Sequence, residues 1–223
     1  MKVAVIENSD SAPVGTFGDY LRGRRGATLT TIRFDEVEQR AGEIAAADLV
    51  VSLGSDSSAY DPDGWIAGQR ALLARLVAER RAVIGICFGA QLLASALGGQ
   101  VAPLGEARCR VGWIGNDEVA APVWAGPFVC WNGDHFTAPE GAEVLARLAG
   151  TIQAFRLRRA LGVQFHPEAV AEWVSVWIGQ TPAAQLDGRA PEAVMAEVLG
   201  GLAGGAAARD ALFAEMLRLT VDA

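Results

Sequence analysis

The stretch Val83-Ile84-Gly85-Ile86-Cys87-Phe88-Gly89-Ala90-Gln91 decides how the rest of this sequence is read. A short apolar run with strand character, Ala82 to Ile86, ends on a cysteine bracketed by Gly85 and Gly89. A helical pattern, Ala90 to Leu97, follows at once. This is the Gly-x-nucleophile-x-Gly layout, in which a sharp strand-to-helix turn lifts a reactive side chain out of a sheet. Glycine is needed on both sides because a Cβ would collide with neighbouring backbone at so tight a turn. A thiol held there sits at the positive end of a helix, where the dipole and free N–H groups favour thiolate. The competing reading is a small buried core cysteine, so the motif needs a chemical partner elsewhere in the chain.

Working outward, the sequence alternates short apolar runs with amphipathic stretches. Val3 to Ile6, Thr28 to Phe34 and Leu49 to Leu53 read as strands; Gly15 to Arg22, Glu38 to Ala47 and Trp65 to Arg80 read as helices. That rhythm predicts βαβ units and a mostly parallel sheet with helices on both faces. After Gly98-Gly99 the pattern changes. Val101 to Ala121 and Phe128 to Trp131 read as strands broken by Gly and Pro, and Val144 to Leu148, Thr151 to Leu157 and Leu161 to Phe165 as antiparallel or edge strands. The chain then turns helical: Trp173 to Ile178, Pro191 to Leu202, and Ala208 to Leu219 after a break at Gly200 to Gly205 expected to be a surface connection.

Composition narrows the class. A chain of 223 residues with 51% hydrophobic content suits one large α/β domain with a good-sized core. No apolar run reaches transmembrane length, and Met1-Lys2 leads directly into a strand, so the expectation is a soluble, cytoplasmic protein without a membrane segment. Three cysteines, Cys87, Cys109 and Cys130, have neither disulfide nor metal-ligand spacing; no metal and no cofactor is expected. A net charge of −7 with dispersed arginines argues against nucleic-acid binding.

The partner for the thiol is Gly162-Val163-Gln164-Phe165-His166-Pro167-Glu168. An apolar strand delivers a histidine, a proline stops the ladder, and a carboxylate follows. The chain has two histidines, and this one falls at a strand end, where parallel α/β sheets assemble their sites. A cysteine nucleophile needs a base to take its proton and return it to a leaving amine, and imidazole suits that near neutral pH. Glu168 is placed to hold the ring in one tautomer, as an acid does in serine triads.

Together, Gly85-Ile86-Cys87-Phe88-Gly89-Ala90-Gln91 and His166-Pro167-Glu168 make the chain resemble a class I (triad-type) glutamine amidotransferase domain, from the first strand to at least Glu168. The resemblance implies a flavodoxin-like α/β fold, with a mostly parallel central sheet flanked by helices plus a small antiparallel sheet. It implies one domain over 1–223, with a motif-bearing core at 1–170 and a helical tail at 171–223. It also implies hydrolysis of the side-chain amide of L-glutamine through a γ-glutamyl thioester, with ammonia released for a separate synthetase or acceptor subunit. Cys87 corresponds to the nucleophile, His166 to the general acid/base and Glu168 to the orienting carboxylate. Backbone N–H groups of Gly54 and Phe88 correspond to the oxyanion hole. Gln91 corresponds to a side chain contacting the bound glutamine, and Arg110-Val111-Gly112-Trp113 to a stretch whose main chain holds its α-amino and carboxylate groups.

Departures from the family pattern are specific. Ser55-Asp56 put a carboxylate beside the expected oxyanion hole, so Asp56 is expected to face solvent. Asn132, in Trp131-Asn132-Gly133-Asp134-His135-Phe136, stands where histidine is common and cannot become cationic; His135 is expected to be exposed. Trp113, Trp124, Trp131, Trp173 and Trp177 read as core or partner-facing residues, Cys109 and Cys130 as inert residues in strands, and Arg22, Arg24, Arg25, Arg156, Arg158 and Arg159 as solvated faces. Two other readings stay open: a γ-glutamyl hydrolase using the same three residues, and a catalytically silent regulatory or binding subunit.

Overall fold

The computed structural model describes residues 1–105 and 109–223. In chain order the elements are β1 Lys2–Glu7, α1 Gly15–Arg25, β2 Thr28–Arg33, α2 Ala41–Ala45, β3 Leu49–Ser52, α3 Gly64–Ala78, β4 Ala82–Ile86, α4 Phe88–Ala96, β5 Val101–Pro103, β6 Arg110–Ile114, β7 Glu118–Val119, β8 Phe128–Asn132, β9 Asp134–Phe136, β10 Glu143–Leu148, β11 Thr151–Leu157, β12 Ala160–Val163, α5 Ala171–Gln180, α6 Pro191–Gly204 and α7 Ala206–Thr220. The expectation over Val101 to Ala121 lies partly outside the described residues; within them it resolves into three short strands.

Eight strands form the central sheet in the order β2-β1-β3-β4-β12-β11-β10-β7. From β2 to β12 all pairings are parallel, whereas β11, β10 and β7 continue the sheet antiparallel. Two separate two-stranded ribbons, β5 with β9 and β6 with β8, replace the single small antiparallel sheet expected. β4 is buried at every position and apolar throughout, the signature of a strand covered on both faces.

Period-2 alternation explains that cover. Val3, Val5, Val51, Ile84 and Ile86 face one core with Phe17 and Leu21 of α1 and Phe213 and Met216 of α7. Ala4, Ile6, Val50 and Val83 face the other with Leu73 and Leu76 of α3 and Leu92 and Leu93 of α4. A third, smaller cluster lies apart from the sheet: Val174 and Trp177 of α5 and Val194 and Val198 of α6 pack with Val111 of β6 and Val129 of β8. The helical tail therefore divides, with α5 and α6 covering the ribbon and α7 returning to the main sheet.

Two local expectations are corrected. The break expected over Gly200 to Gly205 narrows to Gly205: α6 runs to Gly204, and Gly201 is required by packing within it, a Cβ there falling 2.2 Å from Cδ2 of Trp113. Arg158 and Arg159 do not extend a strand face but turn the chain between β11 and β12, and the Arg159 guanidinium donates to the carbonyls of Thr220 and Val221, anchoring the end of α7.

Candidate active site

β4 and β12 are hydrogen-bonded neighbours, with Ile86 in register with Val163. Residues leaving their C-terminal ends therefore meet at one sheet edge, however far apart they lie in sequence. Cys87 leaves β4 with φ 52° and ψ −111°, a left-handed conformation that L side chains rarely adopt and that is over-represented at active centres. Its N–H donates to the Val163 carbonyl at 2.8 Å, and its carbonyl accepts from Gln91 N–H at 3.0 Å as α4 begins. The turn leaves no room for side chains beside it: a Cβ on Gly89 would fall 2.0 Å from the Ser52 carbonyl oxygen, and one on Gly85 2.4 Å from that of Gly89.

His166 is fixed by its backbone, whose N–H donates to the Val129 carbonyl at 2.7 Å, and by the Trp177 ring 4.9 Å away. Its Nδ1 lies 2.7 Å from Oε1 of the fully buried Glu168, so Nδ1 carries the proton it donates and Nε2 is left free of Glu168, on the cavity wall that the ring shares with Cys87. Burial pushes the imidazole toward its neutral form, but the Cys87 thiolate and the Glu168 carboxylate outweigh it and hold the His166 pKa well above the usual value. The arrangement is a thiol and an imidazole at one sheet edge, with the imidazole braced by a carboxylate.

Gly54 closes the other side. A Cβ there would lie 3.1 Å from Cε1 of His166 and 3.9 Å from Cβ of Cys87, so only glycine lets the loop after β3 come this close. Among the described residues the N–H groups of Gly54 and Phe88 donate to no other protein group. The loop is tied in place: Ser55 Oγ donates to the Asn8 carbonyl, and Ser57 N–H donates to Ser55 Oγ. Asp56 is exposed at the rim and accepts from Ser9 Oγ at 3.0 Å.

These groups open into a cavity of about 400 Å³. Cys87, His166, Gly54 and Gln91 line it; Val111, Gly112 and Trp113 do not. The structure places those three residues under the tail, where their main chain is already engaged: Arg189 donates to the Val111 carbonyl and Trp113 N–H donates to Glu197. The main chain that reaches the cavity belongs to the next strand, with the Trp131 carbonyl 3.9 Å from the Cys87 sulfur and Asn132, Gly133 and Asp134 beside it. Asn132 donates to the Asp134 carbonyl at 2.8 Å, and Asp134 accepts from Ser58 and Tyr60. His135 is half-buried, in register with Ala102 of β5, and does not line the cavity.

Several residues at the site escaped the sequence reading. Trp131 and Trp177 pack in the small core under the tail and also line the cavity, Trp131 Nε1 donating to Thr181 Oγ and Trp177 Nε1 to the Ser11 carbonyl. Gln180, Thr181 and Gln185, from the end of α5 and the turn beyond it, complete the outer wall. Cys109 precedes β6 and also faces the cavity, its pKa raised by burial and by the Asp134 carboxylate, whereas Cys130 is buried in β8 and pushed up to about 12, mainly by burial. Gln164, two residues before His166, is fully buried and donates to the Cys87 sulfur at 3.6 Å. Its signal was a polar residue inside an apolar strand run. Among the described residues no group of three or more His, Cys, Asp or Glu could hold a metal ion, and no helix is long and apolar enough to cross a membrane.

Comparison with known proteins places this geometry. Residues 19–173 match the family model for glutamine amidotransferase class-I. A GMP synthase [glutamine-hydrolyzing] from Thermomicrobium roseum is 39% identical over 127 residues, covering 53% of this chain and 23% of that protein. One from Mycobacterium marinum is 42% identical over 100 residues, covering 40% and 18% respectively. The chain thus spans less than a quarter of the length of these curated relatives. A crystal structure of a glutamine amido transferase from Methylobacillus flagellatus superposes with a TM-score of 0.85 at 26% identity, over 98% of this chain and 95% of the other. A glutamine amidotransferase from Thermotoga maritima shares the fold at a TM-score of 0.82 and 22% identity, over 100% and 99%. Because the family model takes in well over half of the sequence, the chain belongs to the class-I glutamine amidotransferases.

Proposed function

We propose that this chain hydrolyses the side-chain amide of L-glutamine and passes the ammonia to a synthetase or acceptor subunit. The observation that carries the reading is the Cys87–His166–Glu168 constellation at one sheet edge, with His166 Nδ1 bonded to Glu168 and Cys87 beside the ring on the cavity wall. In the first step the Cys87 thiolate attacks the amide carbon, and the carbonyl π electrons move onto oxygen. The Gly54 and Phe88 N–H groups face that oxyanion, donors of a kind worth about 3 kcal/mol each in transition-state stabilisation. His166 gives its Nε2 proton to the departing nitrogen, ammonia leaves, and the γ-glutamyl thioester remains. Water then attacks the thioester with its proton taken by His166, and glutamate and the thiolate are regenerated. Glu168 keeps the ring in the one tautomer both steps need.

The GMP synthase relatives, named as glutamine-hydrolysing, support a role as the ammonia-supplying part of such a pairing, and the matched stretch is a small share of their length. A second reading has one observation in its favour: the cavity extends past the thiol to Gln180, Thr181 and Gln185, giving space for a substituent on the amide nitrogen. That reading is a γ-glutamyl amide hydrolase. The deciding experiment measures ammonia release from glutamine, with and without a candidate synthetase, against amine release from a panel of γ-glutamyl amines. Glutamine as the preferred substrate, with Cys87→Ala inactive on all, supports the proposal. Preference for a substituted amide supports the second reading, and ammonia release surviving in Cys87→Ala defeats both.

A further inference from the structure

Gln164 holds a position that the triad alone does not explain. It follows β12 directly, between Val163 and Phe165, which both point into the main core, and its own side chain is fully buried. A buried carboxamide costs roughly 1–3 kcal/mol unless its donor and acceptor are both used. Here both are. Gln91 Nε2 donates to Gln164 Oε1 at 3.2 Å, which fixes the amide so that Gln164 Nε2 points at the Cys87 sulfur, 3.6 Å away. Period-2 alternation puts Gln164 and His166 on the same side of the chain as the thiol, and Gln164 Nε2 is the side-chain donor in contact with the sulfur.

We propose that Gln164 is a fourth member of the catalytic group: its amide N–H stabilises the Cys87 thiolate, and Gln91 acts as the positioning residue that sets the direction of that N–H. The inference rests on Cys87 being the nucleophile of the proposed glutaminase. A thiolate in this spot is 6% exposed and poorly hydrated, so a fixed amide dipole takes over part of what water would supply. The charged and titratable groups around the sulfur are His166, with Glu168 behind it, the buried Cys130 on β8, and Cys109 and the Asp56 and Asp134 carboxylates on the cavity wall. Gln164 is neutral, so its contribution persists at any pH where the sulfur is ionised. Gln91 also lines the cavity, whereas Gln164 does not, so a substrate meets Gln91 and the nucleophile meets Gln164.

The test compares Gln164→Met, which keeps length and removes the donor, with Gln164→Glu and Gln91→Met. Iodoacetamide alkylation of Cys87 is followed by mass spectrometry from neutral to strongly alkaline pH, beside kcat and KM for glutamine. In Gln164→Met, alkylation at neutral pH should slow about tenfold and recover in alkali, kcat should fall by a similar factor, and KM should stay within about twofold, as expected for loss of one hydrogen bond to an ionised group. Gln164→Glu, nearly isosteric but with a carboxylate facing the sulfur, should be slower still at neutral pH. Gln91→Met should slow alkylation about threefold, less than Gln164→Met because the donor remains, while raising KM through its separate contact. Unchanged alkylation in a folded Gln164→Met, or alkylation as fast as wild type in Gln164→Glu should Met prove unstable, overturns the proposal. Wild-type protein that turns over no glutamine while Cys87 alkylation still responds to Gln164 would instead sink the glutaminase reading and leave the Gln164–thiol contact standing.

Discussion

Two layers of this molecule meet at the cavity, and they are built differently. The inner layer is the C-terminal edge of β3, β4 and β12, whose side chains are buried on both faces and which delivers Gly54, Cys87 and His166. The outer layer is the β6–β8 ribbon with α5 and α6, held by a smaller cluster of its own and supplying Trp131, Trp177, Thr181 and Gln185. The first set follows directly on strands buried on both faces, where close packing leaves little room for displacement. The second set is positioned by helices resting on a two-stranded ribbon, which can shift at lower cost. Bond-making groups sit on the inner layer, with Gln91 beside them, and the outer wall of the cavity on the adjustable one.

The sharpest division between the layers should come from His166→Ala: kcat for glutamine falls by a factor on the order of 10³ or more, since the leaving nitrogen loses its proton donor. A loss under tenfold would move acid catalysis off the sheet edge. Next is Gly54→Ala, where the added methyl, 3.1 Å from His166 Cε1, must push the ring or the loop aside. A full ångström of misplacement at a reacting centre costs about 10²-fold and the shift needed here is a few tenths of that, so kcat should drop about tenfold while the protein stays folded; wild-type turnover would mean that the inner layer yields as easily as the outer. Gly201→Ala probes the other layer. Its methyl overlaps the Trp113 ring, so urea unfolding should show a loss of about 1–3 kcal/mol with kcat changed less than about twofold. The smallest effect is expected from Gln185→Ala, which removes a polar group from the outer wall: KM should rise about threefold with kcat nearly constant. A change in kcat instead of KM would erase the distinction between the layers.

What could be read in advance followed the same division. The alternation of apolar runs set out the parallel strands, with β4 at the limits expected, because a doubly buried strand must be apolar along its whole length. Cys87, His166 and Glu168 were legible because each sits in a short local motif at a strand end. Gln164 was in plain view as a polar residue in an apolar run, and its burial was the missing clue. Trp177, Thr181 and Gln185 were not legible: they reach the cavity only because α5 folds back over the ribbon, a long-range packing result with no local signature. The same packing keeps Val111, Gly112 and Trp113 off the cavity wall, with Arg189, just before α6, and Glu197, within it, engaging the Val111 and Trp113 main chain.

That engagement has a second outcome. Strand β6 belongs to a ribbon of only two, so one of its flanks would otherwise present bare amide and carbonyl groups to solvent, an invitation to any extended peptide passing by. Arg189 and Glu197, themselves paired at 3.2 Å, offer one donor and one acceptor to Val111 and Trp113 in the places a neighbouring strand would fill. Two side chains thus impersonate a missing strand, and in doing so guard the molecule against zipping onto copies of itself.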